Sequence, residues 1–172
     1  MTQHSERNQM VDRPGYEEFR AELRAQPGDR FGIVASEFNQ VIVDPLVAGA
    51  RAGFHATGVE DASLTLVWVP GALEIAGALH QLISHRTFAG IIAVGAVVRG
   101  ETSHYDVVVH QSASQLMTLA ATSEVPIVNA ILTVETIEQG LNRAGGKDGN
   151  KGFDAALSLI RLCSLYRQLQ KG

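Results

Sequence analysis

Residues 91–98, Ile-Ile-Ala-Val-Gly-Ala-Val-Val, form an apolar run that stops abruptly at a polar segment carrying Arg99, Glu101, Thr102, Ser103 and His104. The run is short, rich in Ile and Val and bounded by glycine, so it reads as a buried strand. A strand with no polar face needs cover on both sides, the environment of a parallel sheet flanked by helices. The rest of the chain supplies the partners in alternation. Further strands are expected over residues 31–35, 64–69 and 127–133, and helices over 44–57, 72–85, 107–123, 136–144 and 153–170. Asp44 stands where it can cap the first helix, with Pro45 at the first helical position and Gly58 as the stop. Pro70-Gly71 breaks the second strand, and the glycine-rich residues 145–152 separate the last two helices. This alternation argues for an α/β fold: a three-layer α/β/α sandwich on a four-stranded, mainly parallel sheet, flavodoxin-like in character.

A length of 172 residues suits one domain, residues 31–172, behind a polar lead, residues 1–30. The lead contains Pro14, Pro27 and an amphipathic piece, residues 16–24, that fits either a surface helix or an arm ordered only against a partner. A net charge of −4 with no block of like charges gives no footprint for nucleic acid or an anionic membrane surface. No apolar run reaches the length of a bilayer span. The single cysteine, Cys163, precludes an internal disulfide framework and fits a reducing compartment. Its place in the apolar repeat of the last helix reads as a small core position. Residues 1–10 lack the apolar centre of a signal peptide, so a cytoplasmic location is expected.

The unusual residues gather at the strand ends. Ser36-Glu37-Phe38-Asn39, Pro70-Gly71-Ala72-Leu73-Glu74, residues 99–104 and residues 133–136 each come directly after a strand, so all four turns converge on one sheet edge. Each turn alone reads as structural, including the one that holds a histidine. Four at the carboxyl edge of an α/β sheet point to a ligand site. Several chemistries are disfavoured. Gly95 to Gly100 has P-loop spacing, but Glu101 stands where the lysine is required. There is no dinucleotide fingerprint after the first strand and no nucleophile elbow. His4, His55, His80, His85, His104 and His110 show no metal-ligand spacing.

Ser36-Glu37-Phe38-Asn39, Val69-Pro70-Gly71-Ala72-Leu73-Glu74, residues 95–106, Leu132-Thr133 and Gly149-Asn150-Lys151-Gly152 together resemble the 6,7-dimethyl-8-ribityllumazine synthases. The resemblance covers residues 31–169, and the long segment ending at His104 is its most specific part. Such enzymes carry out the penultimate step of riboflavin biosynthesis. They condense 5-amino-6-(D-ribitylamino)uracil with 3,4-dihydroxy-2-butanone 4-phosphate, release phosphate and water, and need no metal or organic cofactor. On this resemblance His104 matches the acid/base group, a role suited to an imidazole. Asp106 is placed either to orient His104 or, preferably, to cap the helix after it. Phe38 matches the aromatic that stacks on the pyrimidine. Backbone groups of Ala96, Val97 and Val98 match those that read its edge, and Ala72, Leu73 and Glu74 match the ribityl side. Glu101 and Thr102 match the phosphate loop, and Arg143 matches its arginine, with Lys151 as added charge nearby. Without the resemblance Arg143 would read as a last-turn residue favoured by the helix dipole. Asn129 departs from the pattern, standing where many relatives carry an apolar or aromatic residue.

The resemblance further implies a homopentamer whose sites are shared, with Phe38, Glu74 and His104 from one subunit and Asn129 and Arg143 from the next. Some relatives assemble twelve pentamers into a hollow icosahedral shell, and riboflavin synthase is a candidate partner; the sequence leaves both points open. Two noncatalytic readings also stand beside the enzyme: a flavin or lumazine carrier, and a shell protein. Neither needs His104 and Arg143 together.

Overall fold

The structure is a computed structural model that describes residues 15–171. Strands β1 (Phe31–Ser36), β2 (Leu64–Val69), β3 (Gly90–Val98) and β4 (Ile127–Val134) pair in parallel in the order β2-β1-β3-β4. Helices α1 (Gln40–Ala56), α4 (Ile137–Arg143) and α5 (Lys151–Leu169) cover one face, and α2 (Ile75–His85) and α3 (His104–Thr122) the other. This is the three-layer, flavodoxin-like arrangement expected from the alternation of apolar runs.

Neighbouring residues of the central strands feed opposite layers, as a pleated strand requires. Ile33 and Ile92 pack with Ile42, Leu46, Leu159 and Ile160, whereas Val34 and Ile91 pack with Ile75, Leu79 and Leu116. Phe31 anchors the first layer against Phe54, their ring centroids 5.0 Å apart. All of β1 and β3 up to Val97 is buried. Two-sided burial thus accounts for the continuous apolar run.

The register opens a crevice. β3 pairs with β1 only as far as Val94, but it pairs with β4 through Val98. The chain leaves β1 outward to β2 and then returns to β3 on the other side, which makes β1/β3 the topological switch point.

Several element ends differ from expectation for local reasons. Helix α1 begins at Gln40 rather than after Asp44, because Asn39 turns sharply in a left-handed conformation (φ 59°) directly behind the strand. Asp44 is therefore no cap, and Pro45 lies inside the helix, where its ring fits the helical φ at the loss of one amide donor. Residues 72–74 form a 3-10 turn before α2. Helix α3 starts at His104, three residues earlier than expected, so Asp106 occupies the first turn and is not its cap. Helix α5 starts at Lys151, because Asn150 caps it by accepting from the amides of Gly152 and Phe153 at 2.9 and 3.2 Å. The preceding glycine-rich residues form a small antiparallel hairpin, β5 (Ala144–Gly146) with β6 (Gly149–Asn150).

Among the described residues of the lead, 16–24 form no helix. Tyr16, Phe19 and Leu23 are exposed, so an amphipathic helix there would have no surface to pack on. The segment instead runs along α5: the Glu22 amide donates to Ser164 Oγ at 3.3 Å, and Gln168 Nε2 donates to the Arg20 carbonyl at 2.8 Å. Arg167 pairs with Asp29 at 2.5 Å. Pro14 lies outside the described residues.

Candidate active site

A cavity of about 390 Å³ fills the β1/β3 switch point. Three of the four turns singled out in the sequence build it. Phe38 and Asn39 come from the turn after β1, and residues 71–74 from the turn after β2. Ala96, Val97 and Val98 come from β3, and Gly100, Thr102 and His104 from the loop and helix start beyond it. The fourth turn, after β4, does not line it.

Backbone bonds fix the first two turns to each other. The Glu37 amide donates to the Val69 carbonyl at 2.8 Å, and the Phe38 amide to the Pro70 carbonyl at 3.1 Å. Phe38 is 71% exposed at the mouth of the cavity, a position that offers a flat apolar surface and fills no core. Asn39 reaches the other way: its Nδ2 donates to the Ala96 carbonyl at 2.8 Å, tying the β1 turn to β3. Sequence reasoning did not single out Asn39, although asparagine after a strand end is a recognisable signal for a left-handed turn. Beneath it the Ser36 hydroxyl is buried with no hydrogen-bond partner among the described residues.

Ala96, Val97 and Val98 all border the cavity, but their backbone groups are not equivalent. The Arg99 amide donates to the Val134 carbonyl at 2.9 Å, so by strand alternation Val97 also faces β4. Ala96 and Val98 face the β1 side, and the Ala96 carbonyl is taken by Asn39. Val98 therefore presents an amide and a carbonyl where β1 has already ended.

His104 opens α3 with its side chain at the cavity wall, and Tyr105 and Val108 continue that wall. Ser103 at the helix N-cap makes no side-chain bond to the first turn. The amides and dipole of such a helix start favour an anion. Thr102 lines the cavity and Glu101 does not. Among the described residues, the ionisable side chains on the lining are Glu74, His104 and Tyr105, with no lysine or arginine.

The remaining expected residues lie elsewhere. Arg143, in the last turn of α4, donates to the Gln139 carbonyl at 3.1 Å and faces Asp148 at 3.5 Å. Lys151 pairs with Asp154 at 3.0 Å. Asn129 lies on β4, an edge strand of the sheet, where its Oδ1 accepts from the Ile131 amide at 2.8 Å. Asn129 and Lys151 border a second, shallower hollow of about 250 Å³. One chain thus brings together Phe38, Ala72, Leu73, Glu74, Ala96, Val97, Val98, Thr102 and His104, and leaves Asn129, Arg143 and Lys151 apart from them.

Comparison with known proteins agrees with this geometry. The family profile described as 6,7-dimethyl-8-ribityllumazine synthase matches residues 28–167. The chain belongs to that family. A 6,7-dimethyl-8-ribityllumazine synthase of Leuconostoc mesenteroides is 38% identical over 152 residues, covering 88% of this chain and 97% of the relative. One of Nautilia profundicola is 39% identical over 147 residues, covering 86% and 96%. The matched region contains every strand and helix of the domain, apart from the last residues of α5.

Proposed function

We propose that the chain condenses 5-amino-6-(D-ribitylamino)uracil with 3,4-dihydroxy-2-butanone 4-phosphate to 6,7-dimethyl-8-ribityllumazine, phosphate and water. The observation that carries this reading is the single cavity in which Phe38, Glu74, the open backbone of Val98 and His104 meet. Each suits one part of the reaction. Phe38 stacks on the pyrimidine, Val98 reads its edge, and Glu74 accepts hydrogen bonds from the ribityl hydroxyls. The amine of the pyrimidine attacks the ketone, phosphate leaves, and the ring closes with loss of water. His104 carries protons between these steps, a task suited to an imidazole, which can donate at one ring nitrogen and accept at the other. Both substrates are reactive, and holding them together supplies much of the acceleration.

The phosphate binds at the start of α3, to Thr102 and the backbone amides there, including those of the loop at Glu101, whose carboxylate takes no part. Its counter-charge is the missing part, because no cation among the described residues lines the cavity. Arg143 of a neighbouring copy provides it, a guanidinium fork matched to the anion, with Lys151 adding charge and Asn129 closing the pocket. The family resemblance makes this assembly a homopentamer with shared sites, and the enzyme is expected to act in the cytoplasm. The assay mixes purified protein with both substrates and tracks lumazine fluorescence. Product well above the uncatalysed background, lost in His104→Ala/Arg143→Ala, is expected; background-level product from assembled protein would favour a carrier or shell protein instead.

A further inference from the structure

Arg99 lies outside the cavity, yet it contacts both residues that come after His104 in the first turn of α3. Its guanidinium carbon sits 4.1 Å from the centre of the Tyr105 ring, and its Nη1 is 3.4 Å from Asp106 Oδ1. Its Nε is 2.7 Å from Glu135 Oε2, just past the end of β4. The Arg99 backbone is fixed as well, its amide continuing the β3–β4 ladder to Val134 at 2.9 Å. One side chain therefore closes the loop 100–103 by joining its rigid start to the helical turn at its far end.

We infer that Arg99 is a positioning residue: it clamps the first turn of α3 to the sheet and so holds His104 at the cavity wall. This role rests on the proposed condensation and on His104 as its proton carrier. The loop before this turn offers little side-chain support of its own. Ser103 makes no capping bond, and Gly100, Glu101, Thr102 and Ser103 are all exposed. First turns without caps fray, and His104 would fray with this one. Two carboxylates, Asp106 and Glu135, face the one guanidinium, so Arg99 has no spare charge for a phosphate and acts through geometry. Tyr105 is packed under the cation and also lines the cavity, which transmits the clamp to the wall beside His104.

The ion pairs are about half exposed, and exposed pairs add little to folding stability. A misplaced reacting group is far more costly to rate. The two effects can therefore be separated. Arg99→Gln, Arg99→Lys, Glu135→Ala and the double variant Arg99→Gln/Glu135→Ala are compared with the parent for kcat, KM of each substrate, melting temperature and assembly. Arg99→Gln is expected to lower kcat by about 10- to 100-fold, in keeping with a displacement on the ångström scale. KM for the ribitylaminouracil stays within about twofold, because the turns that hold that substrate are not tied by Arg99. Arg99→Lys keeps the charge without the fork and recovers part of the loss. The double variant is no slower than Arg99→Gln, as expected when one unit is broken twice.

Parental kcat in Arg99→Gln overturns the inference. So do losses that multiply in the double variant, or a raised KM and a lowered melting temperature that accompany the loss of kcat. Should Arg99→Gln not assemble, Glu135→Ala decides: reduced kcat at an unchanged melting temperature supports the clamp, and parental kcat overturns it. A parent protein with no turnover would overturn the functional reading, and this inference with it.

Discussion

His104 and Asp106 are two residues apart, and the structure gives them different partners. His104 faces the cavity, while the Asp106 carboxylate turns to Arg99 and neither orients the imidazole nor caps the helix. If His104 carries the protons, His104→Ala loses that transfer but keeps the substrate-holding turns, so kcat is expected to fall by about 10²-fold or more with assembly intact. Steady-state rates across the pH range check this; a parental rate and profile would remove His104 from the mechanism. Cys163 shows the opposite behaviour, a reactive side chain made inert. It is buried beside Leu159 and Gly90, and its thiol donates to the Ala89 carbonyl at 3.1 Å. Burial, helped by Asp29 and opposed by Arg167, pushes the thiol up from 9.0 to about 12. Because the folded value is the higher one, its contribution to stability is complete below pH 9.0 and is lost as the pH rises towards about 12. The folded protein should not react with a thiol reagent at pH 8, and Cys163→Ala should flatten the alkaline decline in stability. Fast labelling of the folded chain would contradict the burial. The core role of Cys163 was legible in the apolar repeat. Asn39 and Arg99 were not, since their roles depend on partners 57 and 36 positions away, Ala96 and Glu135.

At the level of elements, apolar periodicity marked each strand and helix, whereas the ends were decided by single side chains. Asn39 pulled the start of α1 forward, and Asn150 did the same for α5. Neither is visible in an apolar pattern, because the left-handed turn at Asn39 and the capping bond of Asn150 leave no hydrophobic repeat. Asn150 also connects two helices: its Nδ2 donates to the Pro45 carbonyl at 2.9 Å while its Oδ1 caps α5. Close approach makes that reach possible. A Cβ on Gly152 would overlap the Leu46 carbonyl oxygen, so only glycine fits where α5 begins against α1. Asn150→Ala loses the cap and the bridge together and is expected to destabilise the fold by about 2 kcal/mol. In a domain of this size that corresponds to a drop of about 4–8 °C in melting temperature. Thermal unfolding monitored by circular dichroism measures it, and a shift below a degree would show that water replaces both bonds. Asn150→Asp keeps the capping oxygen and should recover the cap without the bridge.

For the whole molecule, the decisive observation is where the expected site residues lie. The cavity holds Phe38 and His104 and, among the described residues, no cation, while Arg143 sits on α4, a helix of the opposite face. The sequence made both groups recognisable by resemblance, but strand order alone could not say which of them meet within one chain. If sites form between copies, two kinds of damage should complement each other. A subunit carrying His104→Ala still offers an intact Arg143, and one carrying Arg143→Ala still offers an intact His104. Each variant alone is expected to be nearly inactive in phosphate-dependent turnover. Dissociated, mixed in equal amounts and reassembled into rings, they should regain roughly a quarter of the parental sites, the random chance that an interface receives both intact halves. Sedimentation of the mixture confirms that rings have formed before the lumazine assay is run. Activity no higher than the mean of the two separate variants, from fully assembled rings, would place His104 and Arg143 in the same subunit's site and refute the shared arrangement.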